Sequence, residues 1–118
     1  MSNRNKGFLL ATLALALVLV ACAERHSIAD LQRDPGRFYN KEVAISGRVV
    51  NGFGLLGNGA FQVDDGTGRM WVISEGYGVP SNGAQVDVAG TLQETATFGG
   101  RNFATVLRET QRRRGSSY

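Results

Sequence analysis

The chain is poor in the residues that carry chemistry. Its 118 residues include one cysteine (Cys22), one histidine (His26), one tryptophan (Trp71) and two prolines. A lone cysteine excludes an internal disulfide framework, so stability has to come from an apolar core. The single histidine, so close to the N-terminus, leaves a base-plus-nucleophile site without a histidine to serve it. Asp64-Asp65-Gly66 offers two adjacent carboxylates. Neighbours on a strand end point in opposite directions, so they make a poor acid–base pair. A calcium loop would want oxygen ligands at alternate positions, and Arg69 stands where one is needed. A turn preference accounts for the acids better. Gly52, Gly54, Gly57 and Gly59 come with no lysine and open no helix, so they are no phosphate loop. The expectation is a protein that is not an enzyme and uses no metal or cofactor.

What is present divides the chain in two. Arg4 and Lys6 precede an apolar run from Phe8 to Ala21. At about 1.5 Å per residue that run gives a helix of roughly 21 Å, short of the roughly 30 Å of a bilayer's hydrocarbon. It has no polar face, which argues against a buried core helix. A basic start, an apolar stretch and small residues at a cut point are the parts of a secretory signal peptide. An uncleaved anchor helix is the alternative.

Leu19-Val20-Ala21-Cys22 resembles the lipobox of bacterial lipoproteins. The resemblance covers the first 22 residues. It implies cleavage after residue 21, a diacylglyceryl thioether on Cys22 and a further acyl chain on the new amino group. One chain holds a membrane only marginally, whereas two or three make a lasting anchor. Such an anchor also accounts for the lone thiol, whose other reading is a buried apolar cysteine or a free thiol behind a simple signal peptide. The implied location is the cell membrane. With Ala23 after the cysteine, that becomes the outer membrane facing the periplasm in a double-membraned source. The partner so implied is the bilayer itself, together with an envelope protein or glycan.

Removing the first 21 of 118 residues leaves 97, enough for one small domain and a tail. Arg4 and Lys6 go with the leader, so 11 basic residues face 10 acidic ones and the formal charge is about +1. Much of the excess sits in Arg112-Arg113-Arg114, read as a solvated tail, with contact to acidic headgroups as the alternative. A near-neutral domain argues against a nucleic-acid partner.

Residues 22–26 read as a lipidated polar linker and 27–108 as the domain. Ser27-Ile28-Ala29-Asp30 has the form of a helix start, and Asp34-Pro35-Gly36 stops that helix within two turns. From Glu42 the period is two. Val43, Ile45, Gly47 and Val49 alternate with Ala44, Ser46, Arg48 and Val50, a half-buried strand. Asn51 to Asn58 reads as a glycine-rich loop holding Phe53, Leu55 and Leu56, which cap the core or meet a partner. Ala60 to Asp64 is a second strand and Asp65-Gly66-Thr67-Gly68 a tight turn. Arg69 to Ser74 is a third strand, with Met70 and Val72 facing one way and Arg69, Trp71 and Ile73 the other. Glu75 to Gly83 is connector, and Gln85 to Leu92 a fourth strand. Phe98-Gly99-Gly100-Arg101 is a hairpin turn and Asn102 to Leu107 a fifth strand. Residues 109–118 read as a flexible basic tail.

Five short strands, turn glycines and one small helix fit an all-β, five-stranded barrel preceded by a short N-terminal helix. The order of parts resembles the OB-fold. The leading stretch from Asp34 to Gly47, then Phe61 to Gly68 running into Met70-Trp71-Val72, and Val86 to Gly90 are similar to OB domains of the anticodon-binding type. An SH3-like barrel is the other five-stranded candidate. The connector 75–83 is too short for the helix that usually lies between the third and fourth strands, so the N-terminal helix is expected to close the barrel instead. On the face of the second and third OB strands, Trp71, Arg69, Arg48 and Gln62, with Phe53 nearby, form the candidate ligand surface. The competing reading has Trp71 covering the barrel wall between solvated arginines. Binding of single-stranded nucleic acid and a purely structural role are the alternative functions.

Overall fold

The computed structural model describes residues 23–114. The leader and Cys22 lie outside the described residues. In order the elements are β1 (Glu24–Arg25), α1 (Ile28–Arg33), a 3₁₀ turn (Pro35–Arg37), β2 (Glu42–Leu55), β3 (Asn58–Asp64), β4 (Arg69–Glu75), β5 (Gln85–Phe98) and β6 (Arg101–Arg114). Antiparallel pairing joins β2 to β3, β3 to β4, β2 to β5 and β5 to β6. A short parallel pairing of β4 with β6 closes the ring. The result is the five-stranded OB-like barrel expected from the sequence.

The alternation sets the two faces. Val43, Ile45, Val49, Phe61, Val63, Met70, Val72, Val86, Val88, Leu92 and Leu107 fill the interior. Ile28 and Leu31 of α1 are fully buried among them, so the helix closes the barrel in place of one between β4 and β5. A six-residue helix cannot stand alone. This one is held at its start, where Ser27 Oγ accepts from the Asp30 N–H and an Asp65 carboxylate oxygen accepts from the Ile28 N–H at 2.8 Å.

Asp65 also accepts from the N–H groups of Thr67 and Gly68. The acids that raised the question of a metal loop thus build the β3–β4 turn and fasten the helix to it. Burial pushes the Asp65 carboxyl up, but hydrogen bonds from Ile28, Thr67 and Gly68 outweigh it and hold it below its ordinary 3.8. A depressed carboxylate stabilises the fold above the unfolded-state value and loses that contribution as pH falls through the folded-state one. Urea titrations should therefore show stability falling below about pH 3.8, and Asp65→Ala should flatten that fall while costing about 1–2 kcal/mol at pH 7. An acid limb unchanged in Asp65→Ala would remove this carboxylate from the account.

Three expectations are corrected. Residues 24–25 are not free spacer: they pair in parallel with Val43 and Ala44 as β1. The stretch from Asn51 is not a loop, because β2 continues to Leu55 and pairs with β3 as far as Asn58. Gly52, Gly54 and Gly59 line one side of this arm, where Val79 of the connector lies. A Cβ on Gly52 would stand 2.7 Å from a Val79 methyl, and one on Gly59 only 2.2 Å. Nor does the chain fray at residue 109, since β6 pairs with β5 through Arg114.

Arg112 is a structural residue. Its guanidinium grips the buried Glu109 carboxylate at 2.7 and 2.8 Å, donates to the carbonyls of Tyr77 and Gly78, and lies 5.0 Å from the centre of the Phe61 ring. It fastens the connector to β6.

Candidate binding face

The outer surface of β2, β3 and β4 gathers the residues singled out in the sequence. Arg48 pairs across from Asp64, Asn51 from Gln62 and Phe53 from Ala60. Gln62 in turn faces Trp71, and Asp64 faces Arg69. With a period of two, reset in β2 by the bulge between Val49 and Asn51, Arg48, Phe53, Gln62, Arg69 and Trp71 all share this face. They do not form one site. The Arg69 Nε donates to Asp64 at 3.1 Å. Asp64 also accepts from the Gly66 N–H, and these two bonds, the backbone one first, hold its carboxyl below the ordinary value. Gln62 is occupied by Asn51, whose amide donates to it at 2.8 Å. Arg48 is exposed at the margin.

Trp71 and Phe53 do come together, with partners the sequence reading missed. The far half of the β5–β6 hairpin packs over β3 and β4, and Ala60, Ile73, Phe103 and Val106 form a second buried cluster outside the barrel. Phe53, Trp71, Ala96 and Phe98 pack on it, half-buried. Ring centroids are 5.1 Å apart for Trp71–Phe103, 5.8 Å for Phe53–Phe98 and 6.3 Å for Phe53–Trp71. Tilted and edge-on pairs at such separations contribute roughly 0.5–1.5 kcal/mol each beyond area burial.

Arg101, an exposed residue at the start of β6, completes the site. Its guanidinium carbon lies 5.7, 5.4 and 5.2 Å from the ring centres of Phe53, Trp71 and Phe103. A cation within about 6 Å of a ring face is attracted by the quadrupole. The β2–β3 arm and the β5–β6 hairpin thus meet over the face in a partly open aromatic cluster bearing one exposed positive charge. Phe98 and Arg101 read locally as turn residues. The signal that would have revealed their role is Thr95-Ala96-Thr97-Phe98, whose alternation extends β5 to the turn. One side of the Trp71 ring packs on Phe103 of this outer cluster.

At the opposite end the His26 ring lies tilted against Phe38, centroids 4.6 Å apart, and the His26 backbone N–H donates to the Ala44 carbonyl. Among the described residues no cluster of three or more His, Cys, Asp or Glu side chains could hold a metal ion. No helix there is long and apolar enough to cross a membrane.

No protein-family model matches this sequence, and no curated protein matches it. Solved structures do. The chain is similar to asparaginyl-tRNA synthetase from Pyrococcus horikoshii at 14% identity and a TM-score of 0.58, over 79% of this chain and 23% of that one. It therefore spans about a quarter of the synthetase's length. It is also similar to an OBody bound to hen egg-white lysozyme, at 16% identity and a TM-score of 0.50, over 64% of this chain and 82% of that one. At these identities the likeness establishes the fold.

Proposed function

We propose that this chain is a membrane-anchored, non-enzymatic OB-fold binding module of the bacterial cell envelope, which takes a protein or glycan partner on the aromatic face. The observation that carries the reading is the exposed Arg101 guanidinium set over Phe53, Trp71 and Phe103. OB-folds take ligands on the face of their second and third strands, flanked by the loops that here form the two arms. Aromatic rings with one arginine at the centre of such a face are the side chains that dominate protein interfaces. That an OBody of this fold has been solved bound to lysozyme supports a protein partner. The address rests on Leu19-Val20-Ala21-Cys22 and its lipobox pattern. The non-enzymatic reading is supported by the hydrogen bonds that commit Asp64 and Asp65 to the β3–β4 turn and its neighbours.

Single-stranded nucleic acid is the second reading, favoured by the likeness to a tRNA synthetase and by rings on which bases can stack. The near balance of 11 basic and 10 acidic residues after the leader weighs against it.

Crosslinking in membranes, followed by affinity measurement with the partner so named, tests the main reading. Arg101→Gln and Trp71→Ala should each weaken binding by roughly tenfold or more, the scale of losing an interface anchor. Arg101→Gln removes an exposed side chain and leaves the core in place, so its unchanged affinity would sink the proposal even if Trp71→Ala fails to fold. Retention of oligothymidine or oligouridine in low-salt mobility shifts, lost in both variants, would favour the second reading. Mass spectrometry of the membrane-extracted protein, with Cys22→Ser as control, reports the anchor.

A further inference from the structure

Leu56 stands out as 91% exposed, at the tip of the β2–β3 arm. Leu56 and Gly57 form the two-residue turn of that hairpin, with φ of 55° and 82°. Turns of this kind require positive φ at both positions and favour Asn-Gly, and a leucine is disfavoured in the left-handed region. Both the backbone and the solvent would thus be better served by asparagine, so the fold itself gains nothing from leucine there.

The turn itself carries no charge: Leu56, Gly57 and Asn58 are held against Gly76, Tyr77 and Gly78. The nearest charge is Glu75, which faces Asn58 one step behind the turn and pairs with Arg108. The Gly78 N–H donates to the Gly57 carbonyl, and the Gly76 N–H to the Asn58 side chain. Tyr77 is half exposed, with its hydroxyl donating to the Thr110 carbonyl. Tyrosine and an exposed aliphatic residue suit the boundary layer of a bilayer, and the Glu75–Arg108 ion pair behind the tip would sit at the headgroup level.

The other end of β2 says which surface is within reach. Because Glu24 pairs with Val43, only Ala23 separates Cys22 from the barrel, two Cα steps or about 7 Å. An acyl chain on Cys22 would therefore hold the domain against the bilayer. Leu56 lies 13 residues beyond Val43 along β2, at most about 44 Å away.

We propose that the Leu56–Tyr77 tip is a second membrane contact, docking into the interfacial layer of the bilayer that holds Cys22, so that the barrel lies with β2 along the surface. The proposal rests on the reading of Cys22 as acylated. Burying one leucine favours the bound state by roughly tenfold to a hundredfold. That is too little to recruit a free domain, but enough to set the tilt of one already tethered, because the tether supplies a high effective concentration.

The test uses the acylated protein in phosphatidylethanolamine–phosphatidylglycerol vesicles. With Cys22 blocked by lipid, a thiol-reactive environment-sensitive dye can be placed at Leu56→Cys or, for comparison, at Ser81→Cys on the exposed connector. The dye at position 56 should emit to the blue of that at 81, and quencher-bearing lipids should quench it severalfold more strongly. Equal, water-like emission at both sites, with mass spectrometry showing acylated Cys22, overturns the proposal. Shielding of position 56 in native membranes but not in pure-lipid vesicles also overturns it, in favour of a protein pocket. An unmodified Cys22 in the mass spectrum overturns the anchor reading on which the proposal depends. Leu56→Asn should raise Tm by roughly 4–8 °C, and a fall in Tm would show that the leucine serves the fold after all.

Discussion

Arg112→Met is expected to destabilise the domain by about 3–5 kcal/mol and to lower Tm by on the order of 20 °C. The Glu109 side chain is 0% exposed, and Arg112, at 17%, supplies both of the contacts that neutralise it. Removing the guanidinium leaves a carboxylate in the dark with no counter-charge, the costly way to break such a pair. It also releases the Gly78 carbonyl and the Ser74 hydroxyl, to which Arg112 donates at 2.7 and 3.3 Å, and so frees the connector from β6. Replacing both partners, Arg112→Met with Glu109→Leu, should recover most of the loss, because no unpaired charge then remains. Chemical denaturation of the three proteins checks both statements. A loss below about 1 kcal/mol for Arg112→Met would mean that the pair behaves as a surface ion pair.

Gly59→Ala is expected to cost about 3 kcal/mol, the upper end of the overpacking range. The added Cβ would stand 2.2 Å from a Val79 methyl and 2.5 Å from the Phe53 carbonyl oxygen. The methyl can move, but the carbonyl belongs to the paired backbone of β2 and cannot. Gly52→Ala should be milder, at about 1–2 kcal/mol, because its nearest obstacle is the Val79 side chain at 2.7 Å and the next atom is 3.3 Å away. Val79→Ala should therefore rescue Gly52→Ala and leave Gly59→Ala largely unrescued. A double-mutant cycle measures this difference directly. Equal rescue at both positions would show that the arm does not lie on the connector as described.

These two sites are also where reading the sequence stopped short. Glycine at 52, 54, 57 and 59 signals a loop when only local preference is considered. What makes Gly52, Gly54 and Gly59 strand is the close passage of Val79, twenty or more residues further along the chain, while Gly57 stays in the turn. Three successive arginines signal a solvated tail by the same local logic. Arg112 is drawn into the fold only because Glu109, Phe61 and the Tyr77–Gly78 carbonyls converge on one point. The candidate face shows the same division. Alternation placed Trp71, Gln62, Arg48 and Arg69 on one side of the sheet, whereas Phe53 was read as part of a loop and joins them only because β2 runs on to Leu55. Alternation could not say that Asp64 and Asn51 would claim Arg69 and Gln62, nor that Phe98, Arg101 and Phe103 would arrive from the far end of the chain.

By itself, the amino-acid sequence determined which residues point inward: the two-residue period of Val43 to Val49, Phe61 and Val63, Met70 and Val72, Val86 and Val88, and the capped turn that presents Ile28 and Leu31. Those properties are local, because side-chain direction repeats with the backbone and a cap needs only its own first turn. Only the tertiary structure decided how far the strands run, which charges are spent on the fold, and which rings meet beneath Arg101. Each of these depends on contacts between residues far apart in the chain, whose energies exist only once the barrel has closed.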